Sequence, residues 1–378
     1  MKIKTDFLII GAGMYGSVLA ERIAGVLKKK VIVLDKRYHI GGNCYSEFDK
    51  KTNIEFHKYG THIFHTSNER VWRYFSEFCE LNSYRHQVLS SFNKKIYQMP
   101  INLETINSFF EKSFNPQQAY SFIQKKTKRF KKKSYDNFEE KALSQIGYEL
   151  YEAFIKGYTK KQWGKDPKHL PSTIFNRLPL RFNYREDYFN NCKYQGIPNK
   201  GYTDIFKKLL SNKNISVILN KKFDLSKINY DVKYMTLYTG PLDQLFNYKL
   251  GKLEWRSLKF KIKYKNVDDF LGTSVINFPE IKTKYTRLHE PKHLHNDRIY
   301  NKGITLIQEE FPCENYNEPY YPINTTKNRE LHRSYKKLAR ELKKFDFGGR
   351  LSDYAYYDMD MTISAALKKF DLIQKKIK

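Results

Sequence analysis

The chain has 378 residues, of which 40% are hydrophobic, and it contains 27 Phe and 30 Tyr. This composition excludes an intrinsically disordered chain, because disordered segments are poor in aromatic residues. Lys and Arg number 69 against 40 Asp and Glu, which gives a formal net charge of +29. The excess lies in basic runs such as residues 28–30, 125–133 and 375–376, spread over the whole chain. We interpret it as a solvated basic surface rather than a nucleic-acid site, and as a field that attracts an anionic substrate.

Membrane insertion, export and cysteine-based metal binding find no support in the sequence. No apolar run approaches the roughly 20 residues that a membrane-spanning helix needs. Residues 1–7 lead straight into a predicted strand and lack the apolar core of a signal peptide, so we expect a cytoplasmic protein. The cysteines, Cys44, Cys79, Cys192 and Cys313, form no CxxC pair. We interpret them as free thiols and expect no metal site.

The first predicted unit is a strand, a glycine turn, a helix and a second strand. The apolar run 7–10 precedes Gly11, Gly13 and Gly16, and a second apolar run ends at Asp35. Gly11 permits the tight turn, Gly13 lets the backbone approach a pyrophosphate, and Gly16 lets the helix pack closely on the strand. The helix N-terminus would face the phosphates, and Asp35 would accept the ribose hydroxyls. This unit predicts a dinucleotide-binding βαβ motif.

After this unit, the sequence shows a second glycine pair, and its pattern predicts a helical region, a series of shorter strands and a last helix. A glycine pair, Gly41 and Gly42, comes soon after the acidic residue and is equally consistent with a simple turn and with a second close approach to a cofactor. Residues 101–160 are rich in charge and carry apolar residues at helical spacing. From about residue 213 the pattern is typical of shorter strands, and a last helix is predicted from about 361 to 373.

A series of short segments, in order over nearly the whole chain, matches one known family. They include KYGTHIFHT at 58–66 and FIKGYTKKQWG at 154–164. The others are residues 11–16, 39–43, 99–103, 177–182, 188–189, 194–198, 238–241, 285–287, 318–322 and 348–358. With these segments the sequence resembles the bacterial UDP-galactopyranose mutase family of flavoenzymes.

The resemblance implies an α/β fold of three parts: a Rossmann-type FAD-binding domain, a helical domain with a mobile substrate loop, and an antiparallel β-sheet domain. The expected FAD-binding domain is discontinuous and covers residues 1–100, 195–245 and 340–378. Residues 101–180 are expected to form the helical domain. Residues 181–194 and 246–339 are expected to form the sheet domain. A homodimer or higher homo-oligomer is expected, with no stable membrane insertion.

The resemblance also implies a reaction, the interconversion of the pyranose and furanose forms of a nucleotide-diphosphate sugar. N5 of reduced FAD attacks the anomeric carbon and expels the nucleotide diphosphate. The sugar ring then opens and recloses through another hydroxyl. The diphosphate returns to the anomeric carbon and releases the flavin, with no net oxidation. UDP-galactose is the first candidate substrate, and the product would feed the synthesis of a cell-surface polysaccharide such as a capsule.

The family's site residues carry over to matching positions of this chain. Arg177 and Arg287 match diphosphate-binding arginines, whose guanidinium groups grip phosphate bidentately. His62 lies in the segment that the family places against the flavin, where an imidazole that titrates near neutrality would tune flavin protonation. These three are the expected catalytic residues. The expected substrate-binding residues are Phe154, Tyr158, Thr159, Trp163, Tyr188, Asn277, Tyr321, Tyr356 and Asp358. The expected cofactor-binding residues are Gly11, Gly13, Met14, Tyr15, Gly16, Asp35, Lys36, Gly42, Asn43, Tyr59, Gly60, His62, Ile63, Gly240, Arg350, Asp358 and Met359.

Several positions depart from the pattern of the galactose enzymes. Thr61 stands where a small apolar residue is usual, and Pro291 and Leu294 are substitutions in the segment after Arg287. Residues 308–312 differ from a common Lys-Glu-Tyr-Pro pattern. They leave UDP-N-acetylgalactosamine, dTDP-fucose and larger sugars open as substrates. Because every candidate shares the diphosphate, we hypothesise that Thr61 and the segment His289–His295 set the sugar selectivity.

Three other classes of function compete with this interpretation. An amine-oxidase-like redox flavoenzyme would need a substrate tunnel, whereas Arg177, Arg287 and the matched tyrosines form an anion clamp. A nucleic-acid-binding protein would leave the glycine motif unexplained, and no nucleic-acid-binding motif is present. The intact set of phosphate-binding residues also disfavours a flavin-binding protein without activity.

Overall fold

The computed structural model describes residues 3–177, 180–189, 192–227, 229–314 and 318–377, and the side chains of residues 176 and 177 lie outside the described part. The strands are β1 (Ile3–Ile10), β2 (Val31–Leu34), β3 (Ser46–Phe48), β4 (Glu55–His57), β5 (Phe64–Thr66), β6 (Val88–Phe92), β7 (Lys95–Met99), β8 (Tyr194–Gly196), β9 (Ile215–Ile218), β10 (Tyr230–Tyr238), β11 (Trp255–Lys265), β12 (Val275–Asn277), β13 (Arg287–His289), β14 (Thr305–Cys313), β15 (Tyr321–Pro322) and β16 (Phe345–Phe347). The helices are α1 (Met14–Val26), α2 (Glu69–Ser76), α3 (Leu103–Phe110), α4 (Pro116–Thr127), α5 (Phe138–Leu150), α6 (Gly157–Trp163), α7 (Tyr202–Leu209), α8 (Leu242–Leu245), α9 (Thr326–Arg340) and α10 (Met359–Ile377). A π-helical segment, Tyr151–Lys156, joins α5 to α6.

A five-stranded parallel sheet forms the centre of the first structural unit. Its strand order is β16-β10-β1-β2-β9, and each neighbouring pair is parallel. The two central strands are apolar along both faces because helices cover both faces. Phe7 and Ile9 pack with α1 and α10, whereas Leu8 and Ile10 pack with α8 and α9. The succession β1, α1 and β2 confirms the predicted βαβ motif and the α/β fold.

The turn between β1 and α1 depends on the absence of side chains. Gly11 has a φ of +116°, and a Cβ atom there would lie 2.1 Å from Thr239 Oγ1. A Cβ atom on Gly16 would lie 2.0 Å from the carbonyl oxygen of Gly11, so α1 can approach β1 this closely only at a glycine. The second glycine pair packs on the same turn, since the Gly41 N–H donates to the Ala12 carbonyl oxygen at 2.8 Å.

A seven-stranded sheet forms the second unit, with the order β15-β11-β14-β13-β12-β6-β7. It is antiparallel except for the parallel β12–β6 pair. Residues 88–99 form β6 and β7 of this sheet, so their assignment to the FAD-binding domain within 1–100 was wrong. The pattern of a short hairpin does not tell which sheet it joins; that is decided by the pairing of Ile276 and Asn277 with Leu89 and Ser90. The other domain boundaries stay predictions.

Helices α3 to α6 form a helical unit that packs on the β6–β7 hairpin. Its contact with the sheet is aromatic: the ring of Phe154 lies 5.7 Å from Phe92 and 5.1 Å from Tyr97, measured between ring centroids. Within the helical unit, the same ring lies 5.4 Å from Phe109 of α3. Such edge-on and tilted pairs are favourable beyond the apolar area that they bury. The helical unit is thereby held beside the second sheet.

The C-terminal helix α10 returns the chain to the first unit. Its buried residues include Ile363, Ala366, Leu367 and Phe370, which recur at helical spacing and pack with α1. Its first residue, Met359, lies at the cavity described below. Among the residues that the structure describes, no helix combines the length and the apolar character needed to cross a membrane.

We expect the Gly16→Ala variant to be less stable than the wild type by about 1–3 kcal/mol, because the added methyl group overlaps the Gly11 carbonyl and forces α1 away from β1. Gly25→Ala in the same helix is the matched control. An added Cβ there meets only the flexible Glu21 side chain at 3.1 Å, and Ala is the better helix former. Equal urea midpoints for the two variants would contradict the close approach.

Candidate active site

A cavity of about 910 Å³ lies where the parallel sheet, the seven-stranded sheet and the C-terminal segment meet. The glycine turn and the residues after β2 line one end of it. The segment 59–65 lines the middle, and one face of the seven-stranded sheet lines the other end. All the residues predicted to bind the cofactor line this cavity, from Gly11 to Met359. The structure therefore brings together residues that are distant in sequence.

The glycine-turn end has the features of a diphosphate site. Helix α1 begins at Met14 with Gly13 as its N-cap, no side chain caps it, and its first turn holds no acidic residue. Its N–H groups and positive dipole end are therefore available to an anion. A Cβ atom on Gly13 would meet only the Gly42 Cα at 3.8 Å, so the backbone is open to close approach. These residues fit a dinucleotide cofactor.

Polar side chains around Asp35 shape the outer part of this end. Asp35 accepts hydrogen bonds from the N–H groups of Ala12 at 2.8 Å and Arg37 at 2.9 Å. Arg37 donates to Asn43 Oδ1 at 2.9 Å and to Glu318, and its guanidinium lies 4.1 Å from the centroid of the Tyr59 ring. The sequence analysis missed Arg37 and Glu318. Arg37 directly follows the acidic residue and Lys36, which is a signal, but no sequence pattern pairs it with a residue 281 positions later.

His62 lies in the middle of the cavity and is held in one orientation. Its Nδ1 lies 2.6 Å from the Gly60 carbonyl oxygen, and its backbone N–H donates to His57 Nδ1 at 2.9 Å. Burial lowers the pKa of His62 to about 4, against the Gly60 hydrogen bond and with a smaller effect of Arg350. The expectation of an imidazole that titrates near neutrality was therefore wrong. Because a carbonyl only accepts, the ring proton lies on Nδ1, and Nε2 is left as an acceptor.

Arg287 is the central cation of the sheet end. It lies on β13 opposite Asn277 of β12 and Glu310 of β14. Arg287 Nε donates to Asn277 Oδ1 at 3.2 Å, a guanidinium nitrogen lies 3.7 Å from Glu310 Oε2, and the guanidinium carbon lies 5.6 Å from the Tyr158 ring centroid. Burial opposes the charge, but Tyr158 and Glu310 raise the pKa of Arg287 well above its usual value. The wall therefore carries a permanent positive charge that can bind an anion.

Tyrosines and a second arginine continue this wall. The rings of Tyr321 and Tyr356 are stacked with centroids 5.5 Å apart, and the guanidinium of Arg350 lies 5.4 Å from each centroid. Tyr188 also lines the cavity. Burial is the main cause that raises the pKa of Tyr321 above its usual value, so its phenol stays protonated and can donate a hydrogen bond.

A buried lysine ties helix α6 to the sheet. Lys161 Nζ lies 2.5 to 3.1 Å from four backbone carbonyl oxygens, which share its three N–H donors. They belong to Phe278, Glu280, Thr283 and Tyr285, in the turn between β12 and β13. Burial lowers the pKa of Lys161 to about 8. This anchor holds Tyr158 and Trp163 beside the strands that carry Asn277 and Arg287.

The other predicted substrate residues divide into two groups. Tyr158 and Asn277 contact Arg287, and Trp163 contacts Tyr321 with ring centroids 6.4 Å apart. Like those three residues, Phe154 and Thr159 do not line the cavity itself. The Phe154 ring packs in the aromatic core, because its position in the π-helical segment turns it toward the β6–β7 hairpin, and Thr159 is buried. Arg177 ends a short helix, Ser172–Arg177, but its side chain lies outside the described residues.

Of the positions that depart from the galactose enzymes, some line the cavity and others do not. Thr61 and His289 line the cavity, as does Glu310. Pro291 and Leu294 are buried in a short 3-10 helix and do not line it. Of the segment His289–His295, only His289 therefore lines the cavity. The hypothesis that Thr61 and this segment set the sugar selectivity stays a prediction.

One group of residues in the described part of the chain has the spacing of a metal site: Asp269, Glu290 and His293. Glu290 already accepts hydrogen bonds from the backbone N–H groups of Phe270 and Leu271 and from a threonine hydroxyl. The Nζ atom of Lys292 lies 3.7 Å from Asp269 and 3.9 Å from Glu290. These carboxylates are thus occupied by donors and a cation, which does not favour a metal ion.

The fold and the cavity define a Rossmann-type dinucleotide-binding protein. The other end of its cavity carries cationic side chains. Comparisons with known proteins agree. A family model described as UDP-galactopyranose mutase matches residues 153–356, and one described as NAD(P)-binding Rossmann-like domain matches residues 9–78. The chain belongs to the UDP-galactopyranose mutase family and is an isomerase of the mutase type.

Relatives of this chain carry names for two different sugars. It is 40% identical to a probable UDP-galactopyranose mutase of Klebsiella pneumoniae, over 97% of this chain and 94% of the relative. It is 36% identical to a dTDP-fucopyranose mutase of Escherichia coli, over 98% of this chain and 99% of the relative. A solved structure of a reduced UDP-galactopyranose mutase has the same fold, with a TM-score of 0.79 at 14% identity over 98% of this chain and 94% of that one. The resemblance seen in the sequence is confirmed.

We expect His62 to stay neutral through the physiological range. Its folded-state pKa of about 4 lies below the ordinary 6.5, so its NMR ring signals should not move between about pH 5.5 and about pH 8. His293 is the internal control: partial burial opposes its charge, but Glu290 and Asp269 raise its pKa above 6.5. A His62 signal that titrates together with that of His293 would contradict the buried acceptor.

Proposed function

We propose that the protein is a flavin-dependent mutase that interconverts the pyranose and furanose forms of a nucleotide-diphosphate sugar, with UDP-galactose as the first candidate. The observation that carries this proposal is the position of Arg287. Its permanent charge lies in the wall of the same cavity whose other end fits a dinucleotide. A nucleotide-diphosphate sugar bound there would bring its diphosphate to the arginine and its sugar toward the cofactor.

The cofactor proposed for the dinucleotide end is FAD in its reduced form. Bound there, it supplies a nucleophilic nitrogen for the anomeric carbon of the sugar. The chain's own residues hold and orient it: the N-terminus of α1 binds its diphosphate, and Asp35 accepts from its ribose. His62 would offer Nε2 as an acceptor to the bound cofactor, and Arg350 would contribute a donor to the same cavity.

At the sheet end, the side chains are proposed to hold the diphosphate and to stabilise it as it leaves the sugar. Arg287 and Arg177 would neutralise the charge that grows on the departing phosphate. Tyr188, Tyr321 and Tyr356 would donate hydrogen bonds to the phosphate oxygens. The nucleobase is proposed to rest near Tyr158, Trp163 and Asn277, with Asp358 close to the sugar. Phe154 supports this wall only through its packing.

A second substrate has specific support. The dTDP-fucopyranose mutase matches this chain over 98% of its length at 36% identity, close to the 40% of the galactose relative. UDP-N-acetylgalactosamine and larger sugars remain further candidates. An amine-oxidase-like redox reaction has less support, because the cavity wall carries Arg287 and hydrogen-bonding tyrosines rather than an apolar tunnel. The cytoplasmic location, the homodimer and a role in polysaccharide synthesis stay predictions.

We expect the purified protein to carry FAD and, after reduction with dithionite, to interconvert the ring forms of at least one nucleotide sugar. The assay is anion-exchange chromatography of UDP-galactose, UDP-N-acetylgalactosamine and dTDP-fucose before and after incubation. Oxygen consumption and product oxidation should stay at background, because the reaction has no net redox change. A protein that is equally active when oxidised, or that consumes oxygen with an amine, would overturn the proposal.

We expect Arg287→Ala to lower kcat on the order of 10² to 10³ while FAD content is kept, because one electrostatic contact to the leaving diphosphate is lost. Arg287→Lys should restore little, since an ammonium group cannot form the planar fork. Arg177→Ala tests the second proposed arginine in the same way. Lys282→Ala, which removes an exposed cation from the β12–β13 turn, is the control. Near-normal turnover of Arg287→Ala at saturating substrate would show that Arg287 is not part of the clamp.

A further inference from the structure

A chain of hydrogen bonds leads from a buried carboxylate to the middle of the cavity. Glu310 Oε2 lies 3.0 Å from His289 Nε2, and His289 Nδ1 lies 3.0 Å from Thr61 Oγ1. Glu310 and His289 are buried, and both line the cavity together with Thr61. Arg287 and His289 are alternate residues of β13 and therefore lie on the same face of the sheet. Thr61 is thus held beside the proposed diphosphate clamp.

The protonation of these groups determines which atom donates and which atom accepts in each of these hydrogen bonds. Burial favours the neutral acid, but Arg287 and the hydrogen bonds from His289 and Thr286 hold the pKa of Glu310 below its usual value. The ionised carboxylate can only accept, so His289 donates through Nε2–H. We propose that this is the only ring proton of His289, which leaves a lone pair on Nδ1. The Thr61 hydroxyl must donate to that lone pair, which commits its only proton.

We propose that Thr61 recognises the bound ligand as a hydrogen-bond acceptor, through the lone pairs that its oxygen keeps. The proposal rests on the mutase function proposed above. An acceptor cannot bind a phosphate oxygen, so its partner is an O–H or N–H donor next to the diphosphate. Two groups have this chemistry, a hydroxyl of the sugar and an N–H of the flavin ring. A small apolar side chain at this position could not accept a hydrogen bond from either partner.

The cavity wall supports this role through its contrast of donors and acceptors. Arg287, Tyr321 and Tyr356 present donors, which suit the diphosphate. His62 presents Nε2 as an acceptor, and Thr61 is its neighbour in the chain. Glu310 also lines the sheet end, but its carboxylate is already engaged by Arg287, His289 and Thr286. The groups left for a ligand therefore change from donors at the sheet end to acceptors in the segment 59–65. The neutral, donor-bearing part of the ligand belongs on that second side.

The test compares Thr61→Val, which keeps the shape and loses the hydroxyl, with Thr61→Ser, which keeps the hydroxyl. Binding of UDP-galactose and of its 6-deoxy analogue is measured by titration calorimetry. The absorption spectrum and midpoint potential of the bound FAD are measured on the same samples. A loss of roughly 10-fold in affinity with Thr61→Val, absent with Thr61→Ser, identifies the sugar as the donor. If the analogue is spared that loss, the donor is the C6 hydroxyl.

A shift of the FAD spectrum and potential in Thr61→Val, with sugar affinity kept, identifies the flavin N–H instead and equally supports the proposal. Thr61→Val that matches the wild type in both affinity and potential overturns it. The ¹⁵N signals of His289 in the wild-type protein give a measurement without any variant. Nδ1 should show the signal of an unprotonated ring nitrogen, and a protonated Nδ1 overturns the inference.

These measurements separate the inference from the proposed function. The NMR signals and the FAD potential require no turnover, so they report on Thr61 even in a protein that interconverts no sugar. A wild type without ring interconversion would end the proposed function, while the His289 signals would still decide the direction of the hydrogen bonds. Conversely, if the wild type is an active mutase and Thr61→Val matches it in affinity and potential, the proposed function stands and only the role of Thr61 is refuted.

Discussion

The buried carboxylate of Glu310 is the constraint on which the substrate side of the cavity depends. Its residue is 1% exposed, and removal of a carboxylate from water is costly unless it is paired and hydrogen-bonded. Arg287, His289 and Thr286 provide that compensation from the neighbouring strand. The same contacts orient the guanidinium and determine which nitrogen of His289 carries its proton. One buried charge therefore arranges both a cation and, through the imidazole, a neutral acceptor.

Two structural units must meet for this arrangement to form a site. Helix α6 carries Tyr158 and Trp163, whereas Arg287 and Asn277 lie on strands of the second sheet. Lys161 joins them by donating to four carbonyl oxygens of the β12–β13 turn, and burial lowers its pKa to about 8. The aromatic core around Phe154 adds apolar packing at the other end of the same helical unit. The substrate wall is therefore a joint product of the two units.

The two ends of the cavity achieve recognition by different means. At the glycine turn, backbone N–H groups and the absence of side chains at Gly11 and Gly16 do the work, so the chemistry is that of the main chain. At the sheet end, the proposed binding of the ligand depends on side-chain charge. Because all nucleotide-diphosphate sugars share the diphosphate, charge alone does not separate the sugars of the two relatives. That difference has to come from neutral groups, and we propose Thr61 as one of them.

The sequence by itself determined the βαβ motif, the family and most of the cofactor-side residues, because glycine spacing and apolar runs are local patterns. It placed β6–β7 in the first unit, and that assignment failed because a local pattern does not reveal which distant sheet a hairpin joins. The contact of Phe154 with the substrate stays a prediction. Only the tertiary structure decided the low pKa of His62, the Arg37–Glu318 pair and the chain from Glu310 to Thr61. Those features arise from burial and cross-strand register, which bring together groups that lie far apart along the chain.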